Sequence, residues 1–557
     1  MGTFGLLILS FVLFGLFPPK VIFFPQGDPQ YVNIFIEKPI GTNIEESNRV
    51  TKEIEEIILD EVSKYEDETI REKNNNFLVS SVIANVGNGT SDPQQGPSLE
   101  NTPHKGRITL SFVESRLRRD VSTTEVMNNL RTRLKEYPDA SIIVSPSEMG
   151  PPQGPPVNIE VRGDDYDSLL FTAQRIKQLV ETKYIGGIEE LKIDVDKNKP
   201  ELPIEVDTER ARRYGLSIYQ VGDAIRSSLY GREVSTFKDG DDDHKINLRF
   251  PLEERNSAEK ILNQKITYRD MTTGRIVQVP VSAIASYKES DTFSAVKRKD
   301  MDRVVTIYSN VLDGYNANEV VDQIKKEMLG FEANGGSSVA FTGQQEEQAK
   351  EMSFLLMALI VALVGVVLVL IGQFNSISTP VVLMLSILFS FIGVFLGLVI
   401  FRQEFVIVMT MLGIISLAGV VVNNAIVLID FTIMLIDRRK EELGIPVESQ
   451  LPWAELKRIT IESGATRLRP VMLTAITTIL GLVPLVFGLN IDFVNWFSTY
   501  DANFYLGGDN VAFWKPMSVA IIYGVVFSFF LTLIMVPVMF VMLQKMKYKY
   551  VYKMPVE

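Results

Sequence analysis

Two hydrophobic rhythms divide the chain. From Tyr31 to about residue 345, apolar positions alternate over short stretches or recur every three to four residues, and beyond residue 349 they merge into long runs. In the first part YVNIFIEK, FLVSSVIANV, GRITLSFVE and ASIIVSP read as strands. IEESNRVTKEIEEIILDEV and STTEVMNNLRTRLKEY read as amphipathic helices, giving the order βαββαβ. After the Gly/Pro-rich linker SEMGPPQGPPV, a second unit of the same kind starts with NIEVRG, a helix over 165–183 and IEELKIDVD. Residues 200–295 interrupt it with the helix ERARRYGLSIYQVGDAIRSSL and hairpins, before RVVTIYSNV, NANEVVDQIKKEML and SSVAFTG complete it.

The apolar runs predict six membrane spans, at about 3–18, 353–373, 378–401, 406–436, 471–490 and 517–543, against the ~20 residues that cross ~30 Å of hydrocarbon. The first is short, ends at Pro18, Pro19 and Lys20, and lacks the basic leader and cleavage site of a secretory signal, so it reads as a span whose beginning is missing. Arg438, Arg439, Lys440, Lys457, Arg458, Arg467 and Arg469, with Lys545, Lys547, Lys549 and Lys553, place their loop and the tail on the cytoplasmic side. Residues 20–350 and the loop 490–516 then fall on the opposite side, where Trp496 and Trp514 suit an interfacial belt.

Composition narrows the chemistry. The net charge of −12 leaves no electrostatic footprint for nucleic acid. There is no cysteine, the only histidines are His104 and His244, and no Gly-x-x-x-x-Gly-Lys-Ser/Thr phosphate loop occurs. The chain therefore reads as neither an enzyme nor an ATP motor, without a cofactor. The loop 86–106 has the Gly, Pro, Asn and Ser content of a surface segment, with a gating role as the second reading. Lys238–His244 (KDGDDDH) reads as a solvated turn rather than a metal site.

The candidate chemistry sits in residues 419–431, GVVVNNAIVLIDF, where two amides and a carboxylate interrupt an apolar run. Seven residues return a helix to nearly the same azimuth, so Asn423 and Asp430 share a face, as do Arg467 and Thr474 in ATRLRPVMLTAITT. The two helices run antiparallel through a cytoplasmic loop, which predicts two rungs, Asp430 with Arg467 and Asn423 with Thr474, and Asn424 beside them. One reading is a hydrophilic proton path. The other is helix-to-helix glue, with Asp430 snorkelling towards the head groups. Gly413, Ser416, Ala418 and Gly419 favour close helix packing under both.

With RLRPVMLTAITTILGLVPL following about thirty-five residues later, this stretch resembles the second half of a resistance-nodulation-division (RND) transporter of the hydrophobe/amphiphile efflux type. ARRYGLSIYQVGDAI, FFPQGDPQYVNIFIEKPIGTNIEES and GQFNSISTPVVLMLSI extend the likeness along the chain. The resemblance implies an α+β membrane protein: a six-helix transmembrane bundle and a periplasmic porter domain of ferredoxin-like subdomains. Residues 1–19 would be the family's seventh span, 20–152 one porter subdomain, 153–199 with 296–348 the second, 200–295 an inserted docking subdomain, and 349–557 five further helices. It also implies a homotrimeric pump of the bacterial inner membrane, powered by the proton gradient, that exports small amphiphilic molecules with a periplasmic adaptor and an outer-membrane channel.

Its proton relay would comprise Asn423, Asn424, Asp430, Arg467 and Thr474. Arg467 and Thr474 match family relay positions, whereas Asn423 stands where many multidrug members carry a lysine, and an amide cannot exchange a cation between carboxylates. The family's pair of adjacent aspartates belongs to a first half that is not in this sequence. The expectation is the C-terminal half of a proton-driven exporter that requires its missing N-terminal half. The rivals are a protein-export accessory subunit of the same superfamily and a non-transporting scaffold or sensor. The scarcity of His and the lack of Cys count against soft metals as cargo.

Overall fold

The computed structural model of the protein describes residues 2–25, 27–67, 75–91, 101–119, 121–135, 137–147, 154–195, 199–240, 242–269, 274–292, 296–312, 314–446, 449–500 and 502–551. An apolar helix, α1 (Gly2–Leu16), leads through β1 (Val21–Ile22) into β2 (Tyr31–Glu37), α2 (Ile44–Ser63), β3 (Val79–Gly87), β4 (Thr102–Phe112), α3 (Thr123–Leu134) and β5 (Ser141–Pro146). The four strands form an antiparallel sheet in the order β3-β4-β2-β5. Alternate residues Val32, Ile34 and Ile36 of β2 and Ile108 and Leu110 of β4 bury against Val50, Ile54 and Ile58 of α2 and Val126 and Leu130 of α3. Asn43 and Ser122 start the two helices by accepting backbone N–H groups.

The connectivity is then repeated. β6 (Val157–Gly163), α4 (Tyr166–Thr182) and β7 (Lys192–Ile193) precede a separate segment, after which β8 (Asp302–Ser309), α5 (Ala317–Glu327) and β9 (Ser338–Phe341) close a sheet in which β8 and β9 flank β6 and β7 joins β8. Only Lys192 and Ile193 of the expected strand IEELKIDVD pair in register with β8. The separate segment, Val195–Val296, is a compact unit of its own. Its core gathers Ala211, Leu216, Val221, Ile225, Val279 and Val281, and its helix Ile218–Tyr230 opens with a reciprocal Ser217/Gln220 capping box. Its hairpin Arg232–Asp239/Asp242–Leu248 is exposed along its whole length.

The two sandwiches meet through polar groups. Lys192 Nζ of the second lies 2.5 Å from Glu37 Oε2 of the first, and Lys105 Nζ lies 3.0 Å from Glu37 Oε1. Ser141 Oγ donates to Glu190 Oε2 at 2.9 Å. Burial alone would raise the Glu37 carboxyl, but Lys105 and Lys192 outweigh it and hold its pKa at about 2.

Beyond the sandwiches come α6 (Gln344–Phe374), α7 (Ser378–Ile400), β10 (Phe405–Val406), α8 (Ile407–Glu442), α9 (Trp453–Phe487) and α10 (Asp509–Met546). Among the described residues, five helices are thus long and apolar enough to cross a membrane by length and composition. The sixth expected span corresponds to α1, whose 15 residues rise only about 22 Å, short of ~30 Å of hydrocarbon. Several helices outrun their apolar runs: α9 begins at Trp453 although its run starts near 471, because an existing helix propagates at little cost.

α7 is the buried centre of the bundle. A Cβ on its Gly393 would sit 2.6 Å from the Tyr523 carbonyl oxygen, and one on Gly397 would sit 2.8 Å from Tyr523 Cβ, so α10 packs at backbone distance. Gly413 of α8 meets the Met517 carbonyl in the same way, at 2.8 Å. α1 lies on α7 through Phe4–Phe389, at 5.0 Å between ring centroids, and Phe14–Phe395, at 5.1 Å. β1 and β10 form a two-residue parallel ladder, with Lys20 and Glu404 paired at 3.6 Å beside it. Between α9 and α10, Trp496 of the short helix Phe493–Thr499 stacks on Phe497.

Gly397→Val is expected to destabilise the bundle by about 1–3 kcal/mol through overpacking, and to lower the melting temperature in detergent by several degrees. Gly419→Ala, with nothing within 4 Å of its added carbon, is expected to stay within about 0.5 kcal/mol of the parent. Equal shifts would contradict the close α7–α10 approach. Glu37→Gln tests the seam. Because the folded pKa of Glu37 lies below its unfolded value, its contribution is complete above about pH 4.5 and fades as the pH falls towards 2. Thermal melts should therefore find the variant less stable than wild type at pH 7 and the gap closing below pH 4.5.

Candidate functional site

α8 is apolar on three sides because it packs between α6, α7, α9 and α10, and Leu417, Val421, Ala425 and Leu428 are buried there. Its fourth side is exposed and carries Asn423, Val427 and Asp430 at helical spacing. The expected sharing of a face by Asn423 and Asp430 is therefore present, but that face does not turn to α9.

The groups facing α9 are one residue further on. Thr474 Oγ1 lies 2.9 Å from Asn424 Oδ1 and donates to it. Seven residues along each helix, the Arg467 guanidinium lies over the Phe431 ring, 4.1 Å from its centroid. Both rungs stand at the expected heights, with Asn424 in place of Asn423 and Phe431 in place of Asp430. The physical reason is rotation: one residue turns the helix by 100°, and burial of the apolar side of α8 fixes which amide faces its neighbour. Among the described residues, no ion pair within 4.0 Å joins Asp430 to Arg467.

A third cross-link escapes the sequence reading. Thr432 Oγ1 and Ser463 Oγ are 2.6 Å apart and buried, and Thr432 also donates to the Leu428 carbonyl at 2.8 Å. The seven-residue register does not point to this pair, since extending it would set Thr432 opposite Thr466 rather than Ser463. Pro470 lies between Arg467 and Thr474 inside α9 and has no N–H to give the Thr466 carbonyl, so a further acceptor is left along this face. The arrangement is an ordered pair of polar rungs beside a carboxylate, on a helix otherwise suited to hydrocarbon.

A second feature lies at the base of the seam between the sandwiches, a cavity of about 440 Å³. Phe23, Phe24 and Met127 line one part, and Arg131, Glu189 and Asn310 another. Burial pushes the Glu189 carboxyl up, while Arg131, at 3.8 Å, and a hydrogen bond from Asn310 work in the opposite direction. The cavity thus combines aromatic and thioether surface with a carboxylate whose pKa burial raises.

The loop 86–106 is only partly described: β3 runs to Gly87, which pairs with Thr102 at the start of β4, and residues 92–100 lie outside the described residues. His104 is buried on β4. Of Lys238–His244, Asp241 also lies outside them. The rest forms the exposed hairpin end, with Lys238 4.0 Å from Asp243 and His244 opposite Phe237.

Over 389 residues the chain is 27% identical to the swarming motility protein SwrC of Bacillus subtilis, covering 70% of this chain and 33% of that protein. It is 26% identical to the cobalt-zinc-cadmium resistance protein CzcA of Cupriavidus metallidurans, covering 69% and 33%. It is 22% identical to the multidrug resistance protein MdtC of Proteus mirabilis, covering 78% and 39%. A crystal structure of a heavy metal efflux pump superposes with a TM-score of 0.67 at 19% identity, over 98% of this chain and 51% of that one. The chain therefore spans about half of that pump and matches a third to two fifths of the curated relatives. The sequence profile of the AcrB/AcrD/AcrF family matches residues 1–544, and the chain belongs to that family of RND efflux transporters.

Proposed function

We propose that the chain is the second half of a proton-driven inner-membrane exporter of small amphiphilic molecules. The observation that carries this reading is the exposed Asn423/Asp430 face of α8, adjacent to the Asn424–Thr474 rung. An ionised aspartate at hydrocarbon depth costs roughly 2.5–3.5 kcal/mol, so that face belongs against protein. In this reading it meets the missing first half.

Proton coupling follows from two positions of one guanidinium. Arg467 rests on Phe431 in the structure, and in this reading that is its position while Asp430 holds the proton. Loss of the proton creates an anion at the same height, which draws Arg467 off the ring, and α9 turns relative to α8. Asn424 and Thr474 order water along the path, and Asn423 lends amide donors in place of a cation. The two sandwiches act as ferredoxin-like porter subdomains facing the periplasm. The unit Val195–Val296 acts as the docking subdomain that meets an outer-membrane channel, with a periplasmic adaptor completing a trimeric pump. Phe23, Phe24 and Met127 in the seam cavity favour an amphiphile as cargo.

A second cargo, a divalent metal cation, has its own support in the likeness to CzcA and to a heavy metal efflux pump, together with Glu189 in that cavity.

Expressed alone in cells stripped of other pumps, the chain is expected to insert in the membrane and extrude no dye. Co-expressed with a matching first half, it should extrude dye in a manner abolished by an uncoupler. Extrusion by the chain alone would overturn the half-pump reading. In the complete pump, Asp430→Asn is expected to reduce transport about tenfold or more at unchanged abundance. Thr474→Ala should cost less, because a single interhelical hydrogen bond contributes about 0.6–2 kcal/mol. Undiminished transport in Asp430→Asn would leave the rungs as packing. Metal tolerance without dye extrusion would select the second cargo.

A further inference from the structure

Away from the rungs and the seam, α1, α7 and α10 border a groove of about 690 Å³ at the end of the bundle where α10 finishes. One wall is a stripe of α10, Met535, Met539, Met542 and Met546, at helical spacing, facing Val382 and Leu385 of α7. Only Thr3, Ser378 and Lys547 bring polar groups to its lining.

Lys547 is held at this mouth by local structure. α10 passes into a π-helical turn over Lys547–Val551. Tyr548 within it is 1% exposed, donates its hydroxyl to the Leu451 carbonyl at 2.6 Å and packs edge-on against Trp453. Cations in the loop at the same end have acidic partners: Arg439 pairs with Glu442 and Glu455, and Arg458 with Glu455. Among the described residues, no carboxylate lies within 4.0 Å of Lys547. The groove thus ends in a half-buried cation with no carboxylate partner among the described residues.

A groove continuous with the bilayer-facing surface of membrane helices fills with acyl chains, and methionine side chains conform readily to a flexible occupant. A cation at its mouth, on a lysine-rich flank, selects among lipids by headgroup charge, since basic pockets between membrane helices favour anionic head groups. We propose that this groove binds an anionic phospholipid of the leaflet bordering the Lys545–Lys549 end, its acyl chain along the methionine stripe and its phosphate at Lys547. The lipid would lie between Thr3 and Phe4 of α1 and the last turns of α10.

The test is native mass spectrometry of the purified full chain with phosphatidylglycerol and phosphatidylethanolamine of identical acyl chains. One lysine near the membrane surface corresponds to a preference of roughly fivefold, so wild type should retain the anionic lipid about fivefold more. Lys547→Gln should bring the ratio to near unity, Lys547→Arg should restore it, and Lys545→Gln, at an exposed position, should leave it unchanged. Met542→Trp, which fills the groove, should remove the first adduct of both lipids. Parity in wild type, a preserved preference in Lys547→Gln, or displacement of the lipid by soluble glycerol phosphate at equal concentration would overturn the proposal. So would an equal loss in Lys545→Gln, which would indicate diffuse surface charge.

Discussion

In hydrocarbon a polar side chain is tolerated where another polar group answers it, and this constraint organises the second half of the molecule. Asn424 is answered by Thr474, Thr432 by Ser463, and the Arg467 guanidinium by the face of Phe431. Each pairing fixes the height of α9 against α8, and together they set its register. Asn423 and Asp430, on the uncovered side of α8, have no such answer from α9. What distinguishes this bundle from one held by apolar packing alone is an amide and a carboxylate on one exposed side of α8.

The soluble part is governed by a different balance. Each sandwich closes its own apolar core, and the contact between them is left to charged and hydroxylic groups around Glu37, Lys192, Glu190 and Arg131. Polar contacts of this kind exchange readily with water, whereas a continuous core does not. A cavity opens at the base of the seam, with aromatic and thioether surface on one part of its wall and Arg131, Glu189 and Asn310 on another. Two bodies with separate cores and an ionic junction can shift relative to one another without unfolding either.

Much of this was legible in the sequence, and the failures are instructive. Alternation in YVNIFIEK and GRITLSFVE marks β2 and β4 because one face of each strand must be buried. Seven-residue spacing placed Asn423 with Asp430 and Thr474 with Arg467, and the intervening loop placed their heights. Spacing along one helix cannot reveal its rotation against a neighbour, so the sequence pairs Thr474 with Asn423 where the structure pairs it with Asn424. Gly393 and Gly397 carry the small-xxx-small pattern of close helix contact, but nothing local identifies Tyr523 as what they admit. IEELKIDVD reads as a full strand, yet among the described residues Lys192 and Ile193 form its ladder with β8 and Ile188 makes an isolated bridge to Val311.

The short parallel ladder between Val21–Ile22 and Phe405–Val406 has a mechanical meaning. Its first strand leaves α1 on the way to the first sandwich, and its second is continuous with the start of α8. Backbone hydrogen bonds and the Lys20–Glu404 pair make this a stiff strap. A tug on the base of the sandwich is thereby passed towards the same rod that carries Asn424 and Asp430, and a twist of that rod is returned along the same ladder.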